Sequence, residues 1–297
     1  MGTTAPWRGV LVATALPWRD DGGIDHDRYA EHVRWLAANG CDGVVPNGSL
    51  GEYQVLTPAE RAAVVRTAVA AAPAGFAVVP GVAAYGAQEA RRWADDAAEA
   101  GCPAVMLLPP NAYRADERAV LGHYAEVAAA GLPVVAYNNP VDTKVDLVPE
   151  LLARLHGEGL IVAVKEFSGD VRRAYRIAEL APGLDLIAGA DDVALELAVA
   201  GATGWISGYT NALPASCVQL WQAAIGGDPA TALPLYRLLH PLLRWDSRTE
   251  FVQAIKYSMD LAGRYGGPCR PPRLPLTEAH AAAVKDATTR ALAAGCR

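Results

Sequence analysis

The chain of 297 residues has little that would direct it to a membrane or out of the cell. Its most apolar window, residues 62–84, is interrupted by arginine, proline and glycine, which predicts a helix, a turn and a strand instead of a membrane span. Residues 1–7 show no basic region followed by an apolar core, so we expect no secretory signal. We therefore expect a cytoplasmic protein without a membrane partner.

Cysteine and histidine are few and show no ligand pattern. The five cysteines are scattered, odd in number and without a C-x-x-C pair, which favours reduced thiols. The six histidines lack H-x-x-x-H or similar spacing, so we expect no metal site, and a metal-dependent aldolase is disfavoured. Because no G-x-G-x-x-G or Walker loop appears, we expect no nucleotide cofactor either.

Charge of one sign is nowhere concentrated. A net charge of -6 argues against nucleic acid as a partner, and no block of like charges marks a tail or a membrane-binding face. With 52% hydrophobic and 20% charged residues, the composition is that of a globular protein with an ample core.

Short apolar strands alternate with helices through most of the chain. Helix-periodic segments rich in alanine and charged residues separate the strands, and this alternation predicts a closed (β/α)8 TIM barrel. The predicted strands cover residues 10–15, 43–46, 76–80, 104–108, 133–137, 161–165, 184–188 and 204–207.

After Asn211 the pattern contains helices only. They are expected at about residues 214–224, 229–243, 248–262 and 277–294. We therefore predict a catalytic barrel domain over residues 1–212 and a C-terminal helical extension over residues 213–297, without a separate catalytic module.

Lys165 ends the sixth predicted strand, directly after four apolar residues. Side chains alternate along a strand, so Lys165 shares a face with Ala163 and Ile161. Active sites of such barrels lie at the C-terminal strand ends. Burial would lower the lysine pKa from about 10.4 and leave a neutral amine able to form a Schiff base with a carbonyl carbon. The alternative is a strand-end lysine reaching solvent and paired with a carboxylate. Asp170 is predicted to cap the helix that follows.

The 48–51 turn, Gly48-Ser49-Leu50-Gly51, follows the second strand. Its consecutive N–H groups are suited to binding a carboxylate, and the Ser49 hydroxyl could relay a proton. A plain strand-to-loop turn is the alternative. A serine hydrolase is disfavoured, because Asn47 stands where the nucleophile elbow needs glycine and the next helix begins only at Pro58.

Tyr137 ends the fifth strand, next to the strand of Lys165 in a barrel. A phenol there could shuttle protons for a Schiff base, and a core tyrosine is the alternative. Asp191 and Asp192 follow the seventh strand and could form a metal or acid pair, but we favour capping of the next helix.

Three motifs follow one another at strand ends: G-S-L-G-E at 48–52, Y-N-N-P at 137–140 and V-K-E-x-x-G-D at 164–170. With them the chain resembles the dihydrodipicolinate synthase / N-acetylneuraminate lyase family from Gly9 to the last helix. The resemblance implies a barrel with a helical extension, a homo-oligomer (tetramer or dimer), Lys165 as Schiff-base lysine, Tyr137 and Ser49 as proton-transfer residues, and a small 2-oxo or imino acid as substrate. The predicted substrate-binding residues are Gly48, Leu50, Gly51, Asn139, Gly189, Ile206 and Tyr113.

Several positions depart from the synthases of that family. Leu50 replaces a threonine, Asp142 stands where an arginine holds a second carboxylate, and Pro110-Asn111 stands where an inter-subunit tyrosine belongs, for which Tyr113 substitutes only in part. Lysine biosynthesis is therefore disfavoured.

The Y-N-N-P-V run, the K-E-x-S-G-D run and a late R-P-P-R-L-P-L at 270–276 look most like 1-pyrroline-4-hydroxy-2-carboxylate deaminases. This branch implies a cofactor-free lyase that releases ammonia and 2,5-dioxopentanoate. The alternatives are a pyruvate-dependent class I aldolase, a 2-keto-3-deoxy-sugar-acid lyase or dehydratase, and a non-catalytic family member that binds a small acid.

Overall fold

Eight parallel strands form the centre of the computed structural model, which describes residues 5–297. The hydrogen-bonded strand order is β3-β2-β1-β8-β7-β6-β5-β4. A parallel bridge between Gly81 and Met106 joins the two ends of this sheet, because Met106 N–H donates to Pro80 O and Val82 N–H to Met106 O, each at 2.9 Å. The prediction of a (β/α)8 barrel is confirmed.

The strands are short and almost entirely buried. Each lies within or next to its predicted range, as expected where branched apolar residues face the barrel interior on one side and the helices on the other. They are β1 (Gly9–Ala13), β2 (Gly43–Val45), β3 (Ala77–Val78), β4 (Val105–Leu107), β5 (Val134–Asn138), β6 (Ala163–Glu166), β7 (Asp185–Ala188) and β8 (Gly204–Ser207).

Helices connect successive strands and continue after the last one. They are α1 (His26–Ala38), α2 (Pro58–Ala71), α3 (Ala87–Glu99), α4 (Glu117–Ala128), α5 (Pro140–Thr143), α6 (Pro149–Gly157), α7 (Arg172–Leu180), α8 (Ala194–Val199), α9 (Pro214–Ile225), α10 (Pro229–Leu243), α11 (Phe251–Leu261) and α12 (Glu278–Ala293).

Local signals explain several of the helix boundaries. Thr57 and Glu60 form the capping box expected at the start of α2. The predicted cap at Asp170 was one residue too early, because Val171 is the N-cap residue of α7. The Asp170 carboxylate still accepts a hydrogen bond from Arg172 N–H at 3.1 Å, since a short acidic side chain reaches the first free N–H groups of a helix.

The helices after β8 pack in two ways. Helix α9 contacts α8 and β1, which is the place of the eighth helix of a barrel, whereas α10 packs on α9, and α12 packs on both α10 and α11. The proposed division at residue 212 falls before α9 and stays a prediction. The turn between α10 and α11 leads the chain back to the C-terminal ends of the strands, where it borders a cavity.

Candidate active site

A cavity of about 510 Å³ opens at the C-terminal end of the barrel. The loops after β2, β4, β5, β6 and β7 and the turn between α10 and α11 line it. Six of the predicted site residues lie on its wall, namely Gly48, Ser49, Leu50, Tyr137, Asn139 and Lys165. The strand ends therefore converge on one space, as the barrel rule predicts.

Lys165 is 6% exposed and projects into this cavity. Its Nζ lies 4.3 Å from the centroid of the Tyr137 ring and 5.7 Å from that of Phe167. Lys165 makes no ion pair with any residue from 5 to 297; the lysine ion pair found there belongs to Lys256. Burial lowers the pKa of Lys165, and the nearby carboxyls of Asp246 and Asp191 partly oppose this shift.

Tyr137 is the direct neighbour of Lys165 across strands β5 and β6. Its ring is 4% exposed and packs edge-to-face on Phe167 at 6.1 Å, and its hydroxyl accepts a hydrogen bond from Asn139 Nδ2 at 3.4 Å. Burial strongly raises the pKa of the phenol, and the nearby Asp246 carboxyl contributes in the same direction. The hydroxyl therefore keeps its proton and has it available for a neighbouring atom.

The 48–51 turn borders the cavity with backbone rather than with charged side chains. Within the described chain, the N–H groups of Ser49 and Leu50 donate no backbone hydrogen bond, whereas the next N–H with a partner, that of Glu52, donates to Ser49 O. Unpaired consecutive N–H groups beside a cavity are suited to a carboxylate.

Glu52 holds this turn in place from behind. It is 1% exposed, and its two carboxylate oxygens accept hydrogen bonds from Trp18 Nε1 at 2.8 Å and from Arg270 N–H at 2.9 Å. Lys256 Nζ lies 3.5 Å from the same carboxylate. The end of the G-S-L-G-E motif therefore anchors the turn to the helical extension.

Four predicted substrate-binding residues lie outside the cavity wall. Tyr113 is 59% exposed, Ile206 is fully buried in β8, and Gly51 packs on backbone near Thr14. Gly189 makes room for the nucleophile, because a Cβ there would lie 2.9 Å from Lys165 Cγ and 2.5 Å from Glu166 O. Their roles as substrate ligands stay predictions.

The prediction that Asp191 caps a helix was wrong. Asp191 starts a single 3-10 turn without capping it, is fully buried, and accepts four hydrogen bonds from the end of β8. Burial raises the pKa of this carboxyl to about 6, against the effect of its hydrogen bonds and of Lys165. The donors are Trp205 Nε1 at 2.9 Å, Ser207 Oγ at 3.2 Å, Gly208 N–H at 3.1 Å and Tyr209 N–H at 2.9 Å.

Sequence reasoning missed the residues that the extension contributes. Asp246 is 8% exposed and lines the cavity from the turn between α10 and α11. Arg248 and Arg273 also line it, with their guanidinium groups stacked over Trp245 at 4.5 Å and over Phe251 at 5.2 Å. The one available signal was a charged cluster, W-D-S-R, at the end of an apolar helix.

The loop after β5 adds a further acid, Asp142, to a wall that also contains Asp192 and Asp246. Asn139 Nδ2 donates to Asp142 at 2.8 Å, and Asn139 Oδ1 accepts from the N–H of Asp142 at 3.2 Å. Across the cavity, Asn111 Nδ2 donates to Tyr53 Oη at 3.5 Å. Asp142 therefore occupies the cavity side on which the family resemblance places an arginine.

Among residues 5–297, no group of three or more His, Cys, Asp or Glu side chains is placed to hold a metal ion. Over the same residues, the helices are too short or too polar to cross a bilayer.

Sequence comparison finds relatives over nearly the whole chain. Residues 6–291 match the model of the dihydrodipicolinate synthetase family. A 4-hydroxy-tetrahydrodipicolinate synthase from Methanothrix thermoacetophila is 33% identical over 287 residues, covering 96% of this chain and 97% of the relative. A DapA-like lyase of Rhizobium meliloti, named as uncharacterized, is 32% identical and covers 94% of both chains.

Solved structures agree with this assignment. The 4-hydroxy-tetrahydrodipicolinate synthase of Methylacidiphilum fumariolicum SolV superimposes with a TM-score of 0.91 at 26% identity, covering 96% of each chain. A prophage protein of the dihydrodipicolinic acid synthase family from E. coli K12, in complex with pyruvate, gives a TM-score of 0.88 at 26% identity over 95% of this chain and 98% of that one. The motifs, the barrel and the relatives together show that the chain belongs to the dihydrodipicolinate synthetase family and is a class I Schiff-base lyase.

Proposed function

We propose that Lys165 is the Schiff-base nucleophile of this lyase and that its substrate is a small 2-oxo or cyclic 2-imino acid. The observation that carries the proposal is the position of Lys165 Nζ, buried in the cavity, 4.3 Å from the Tyr137 ring and without an ion-pair partner among the described residues. A buried amine without a counter-charge is neutral more readily than a surface lysine, and the neutral form attacks carbonyl carbon.

The other groups on the wall have complementary roles in this proposal. The 48–51 turn binds the substrate carboxylate through its backbone N–H groups, next to the carbon that Lys165 attacks. Tyr137 and Ser49 transfer protons to and from the substrate. The Schiff base withdraws electrons, so a C3 proton leaves and an enamine forms.

We further propose that the substrate is 1-pyrroline-4-hydroxy-2-carboxylate. Besides the sequence motifs, the acid Asp142 supports a substrate with one carboxylate and a hydroxyl, because it lines the cavity where a second carboxylate would be repelled. The electron pair of the enamine then forms a C3–C4 double bond and expels the 4-hydroxyl, which takes up a proton and leaves as water, and two waters hydrolyse the remaining imine bonds. The net reaction takes up one water and releases ammonia and 2,5-dioxopentanoate.

A pyruvate-dependent aldolase or synthase is the second candidate. Relatives named 4-hydroxy-tetrahydrodipicolinate synthase favour it, and so do Arg248 and Arg273, which line the cavity and could bind a second carboxylate. In that case the enamine attacks an aldehyde and a C–C bond forms at C3.

Borohydride reduction in the presence of pyruvate, followed by intact-mass measurement, tests the nucleophile. We expect one reduced adduct on the wild-type protein, located on Lys165 by peptide mapping. A wild-type protein without an adduct, or with the adduct on another lysine, contradicts the proposal.

A substrate panel with ammonia and aldehyde detection then separates the two candidates. Ammonia release from the pyrroline acid supports the deaminase, whereas consumption of an aldehyde with pyruvate supports the aldolase. The double variant Arg248→Ala with Arg273→Ala sharpens the result, because it should impair a substrate with two carboxylates and spare the pyrroline acid.

We also infer that the enzyme works in the cytoplasm as a homo-oligomer. All five cysteines are free thiols, which fits a reducing compartment. Tyr85 and Tyr113 are 75% and 59% exposed, so both aromatic side chains are available for contact with another subunit. Sedimentation at several concentrations measures the assembly, and a monomer at all of them contradicts this part.

A further inference from the structure

Two buried carboxyl groups near Lys165 are hydrogen-bonded very unequally. Asp191 accepts bonds from four donors on β8 and the loop that follows it. Asp246 accepts one long bond, from Asp191 N–H to Oδ2 at 3.4 Å. Its Oδ1 has no hydrogen-bond partner among residues 5–297, although the side chain is only 8% exposed.

The unpartnered oxygen of Asp246 lies at the cavity wall. Asp246 lines the same cavity as Lys165 and Tyr137. Gly208 makes its position possible, because a Cβ there would lie 2.6 Å from Asp246 Oδ1. The helical extension therefore delivers a carboxyl oxygen into the mouth of the barrel.

The unequal hydrogen bonding decides which of the two acids holds a proton. Four donors favour the charged form of Asp191, whereas Asp246 is buried without such donors and beside the Asp191 charge. Burial and the charge of Asp191 raise the pKa of Asp246 well above its usual range. The protonated form is therefore favoured at Asp246, and burial favours the neutral form of the Lys165 amine.

We propose that Asp246 is the proton donor that completes Schiff-base formation on Lys165. The inference rests on the proposed role of Lys165. In the carbinolamine that forms with a 2-oxo acid such as pyruvate, the C2–OH bond breaks, the leaving oxygen takes the proton of the Asp246 carboxyl and departs as water, and the lone pair on Nζ forms the C=N bond. The products are a protonated Schiff base and the Asp246 carboxylate, so the total charge of the site is unchanged.

This step explains why an acid stands unpaired beside a buried amine. Neither neutral group needs a counter-charge before the reaction, and each becomes the counter-charge of the other after it. An iminium ion in a buried site is stabilised by an adjacent carboxylate, and the interaction is stronger there than in water. The same carboxylate can return the proton when water hydrolyses the product.

Proton balance during adduct formation tests the inference with pyruvate as the probe. One measurement is the rate at which the adduct on Lys165 forms, determined by borohydride trapping. The other, without borohydride, is the number of protons taken up per adduct in weakly buffered solution with a pH indicator. The variants are Asp246→Asn, which keeps the shape but not the proton, and Glu250→Gln, a half-buried acid of the same segment, as matched control.

We expect the wild type and Glu250→Gln to form the adduct without net proton uptake. Asp246→Asn should slow trapping by roughly 10²- to 10⁴-fold, the usual range for a lost proton-transfer group, and take up about one proton per adduct from water. Asp246→Glu should recover part of the rate. A merely structural role of Asp246 would change the melting temperature but not the proton count.

Three results overturn the inference. The first is a folded Asp246→Asn protein that traps the adduct at the wild-type rate. The second is equal proton uptake by the wild type and the variant. If the variant does not fold, the third is an infrared band of a protonated carboxyl group that persists in the wild type after pyruvate has formed the adduct. A wild type without any adduct overturns the role of Lys165 first, and this inference with it.

Discussion

Two lysines of this enzyme, Lys165 and Lys256, are buried, and they differ in the hydrogen-bond and ion-pair partners of the amino group. Lys165 is 6% and Lys256 1% exposed, and burial lowers the pKa of both. Lys256 Nζ donates to Leu16 O at 2.8 Å and to Pro268 O, and lies 3.5 Å from a Glu52 oxygen. Lys165 has no such partner among residues 5–297 and faces a cavity instead.

The comparison shows that burial alone does not make a lysine reactive. A buried ammonium that three oxygens surround stays charged and holds structure together, whereas a buried amine without partners stays neutral and available. Lys256 ties the 48–51 turn, through Glu52, to the loop after α11. We therefore expect one lysine to control activity and the other to control stability.

Lys165→Ala should have the largest effect on turnover. Loss of the nucleophile removes the covalent route, so we expect activity to fall by roughly 10⁴-fold or more with little change in melting temperature. Steady-state rates and circular dichroism check this, with Lys285→Ala on α12 as the exposed-lysine control. Retention of a tenth of the activity would place the nucleophile elsewhere.

Tyr137→Phe tests the other difference between the two lysines, because among residues 5–297 the structure places an aromatic ring 4.3 Å from Lys165 Nζ and none over Lys256 Nζ. The variant keeps the ring beside Lys165 but loses the hydroxyl, so we expect turnover to fall by roughly 10²- to 10⁴-fold. Stopped-flow and steady-state kinetics measure the loss, and adduct formation by Lys165 should survive at a reduced rate. Near-normal turnover would remove the proton-transfer role.

Lys256→Met should have the opposite outcome to Lys165→Ala: it should lower stability and leave the chemistry at Lys165 intact. It leaves Glu52 buried with two remaining donors, so we expect a loss of about 3 kcal/mol in the free energy of unfolding, the lower end for a broken buried pair. Denaturant titration measures it, with Lys285→Met as control. At a temperature where the variant is folded, the adduct on Lys165 should form; its disappearance would contradict the assignment.

Gly189→Ala should have a smaller effect on stability than Lys256→Met and a local effect on Lys165. The new Cβ would meet Glu166 O and Lys165 Cγ, so we expect destabilisation by roughly 1–3 kcal/mol and slower adduct formation. Thermal unfolding and trapping rates are the measurements. Gly122→Ala in α4, where a Cβ meets nothing within 4 Å, is the matched control, and equal behaviour of the two variants would exclude the steric role.

Local periodicity was enough to predict the barrel and six residues of the cavity wall. Each strand is a short apolar run whose C-terminal end lies at the mouth of the barrel, so Lys165 and Tyr137 could be placed there from their positions in the chain. The approach of Tyr137 to Lys165 was predicted from the order of the strands, and the two residues are paired directly across β5 and β6.

Residues that reach the site from outside this pattern were not predictable in the same way. Asp246 and Arg248 lie in a turn between two helices, and nothing in their local sequence states which strand end that turn will approach. Asp191 was predicted as a helix cap from its position, but β8 supplied stronger hydrogen bonds than the 3-10 turn that follows Asp191. Tertiary contacts overrode the local preference.

The barrel, the strand that carries Lys165 and the 48–51 turn could all be inferred from local sequence. They depend on the alternation of short apolar strands with helices and on two glycines three positions apart. Only the tertiary structure decided which buried lysine is unpaired and which acid faces it. Charge and hydrogen-bond partners across the barrel are set by residues far apart in the chain, and these determine whether a buried amine is reactive or structural.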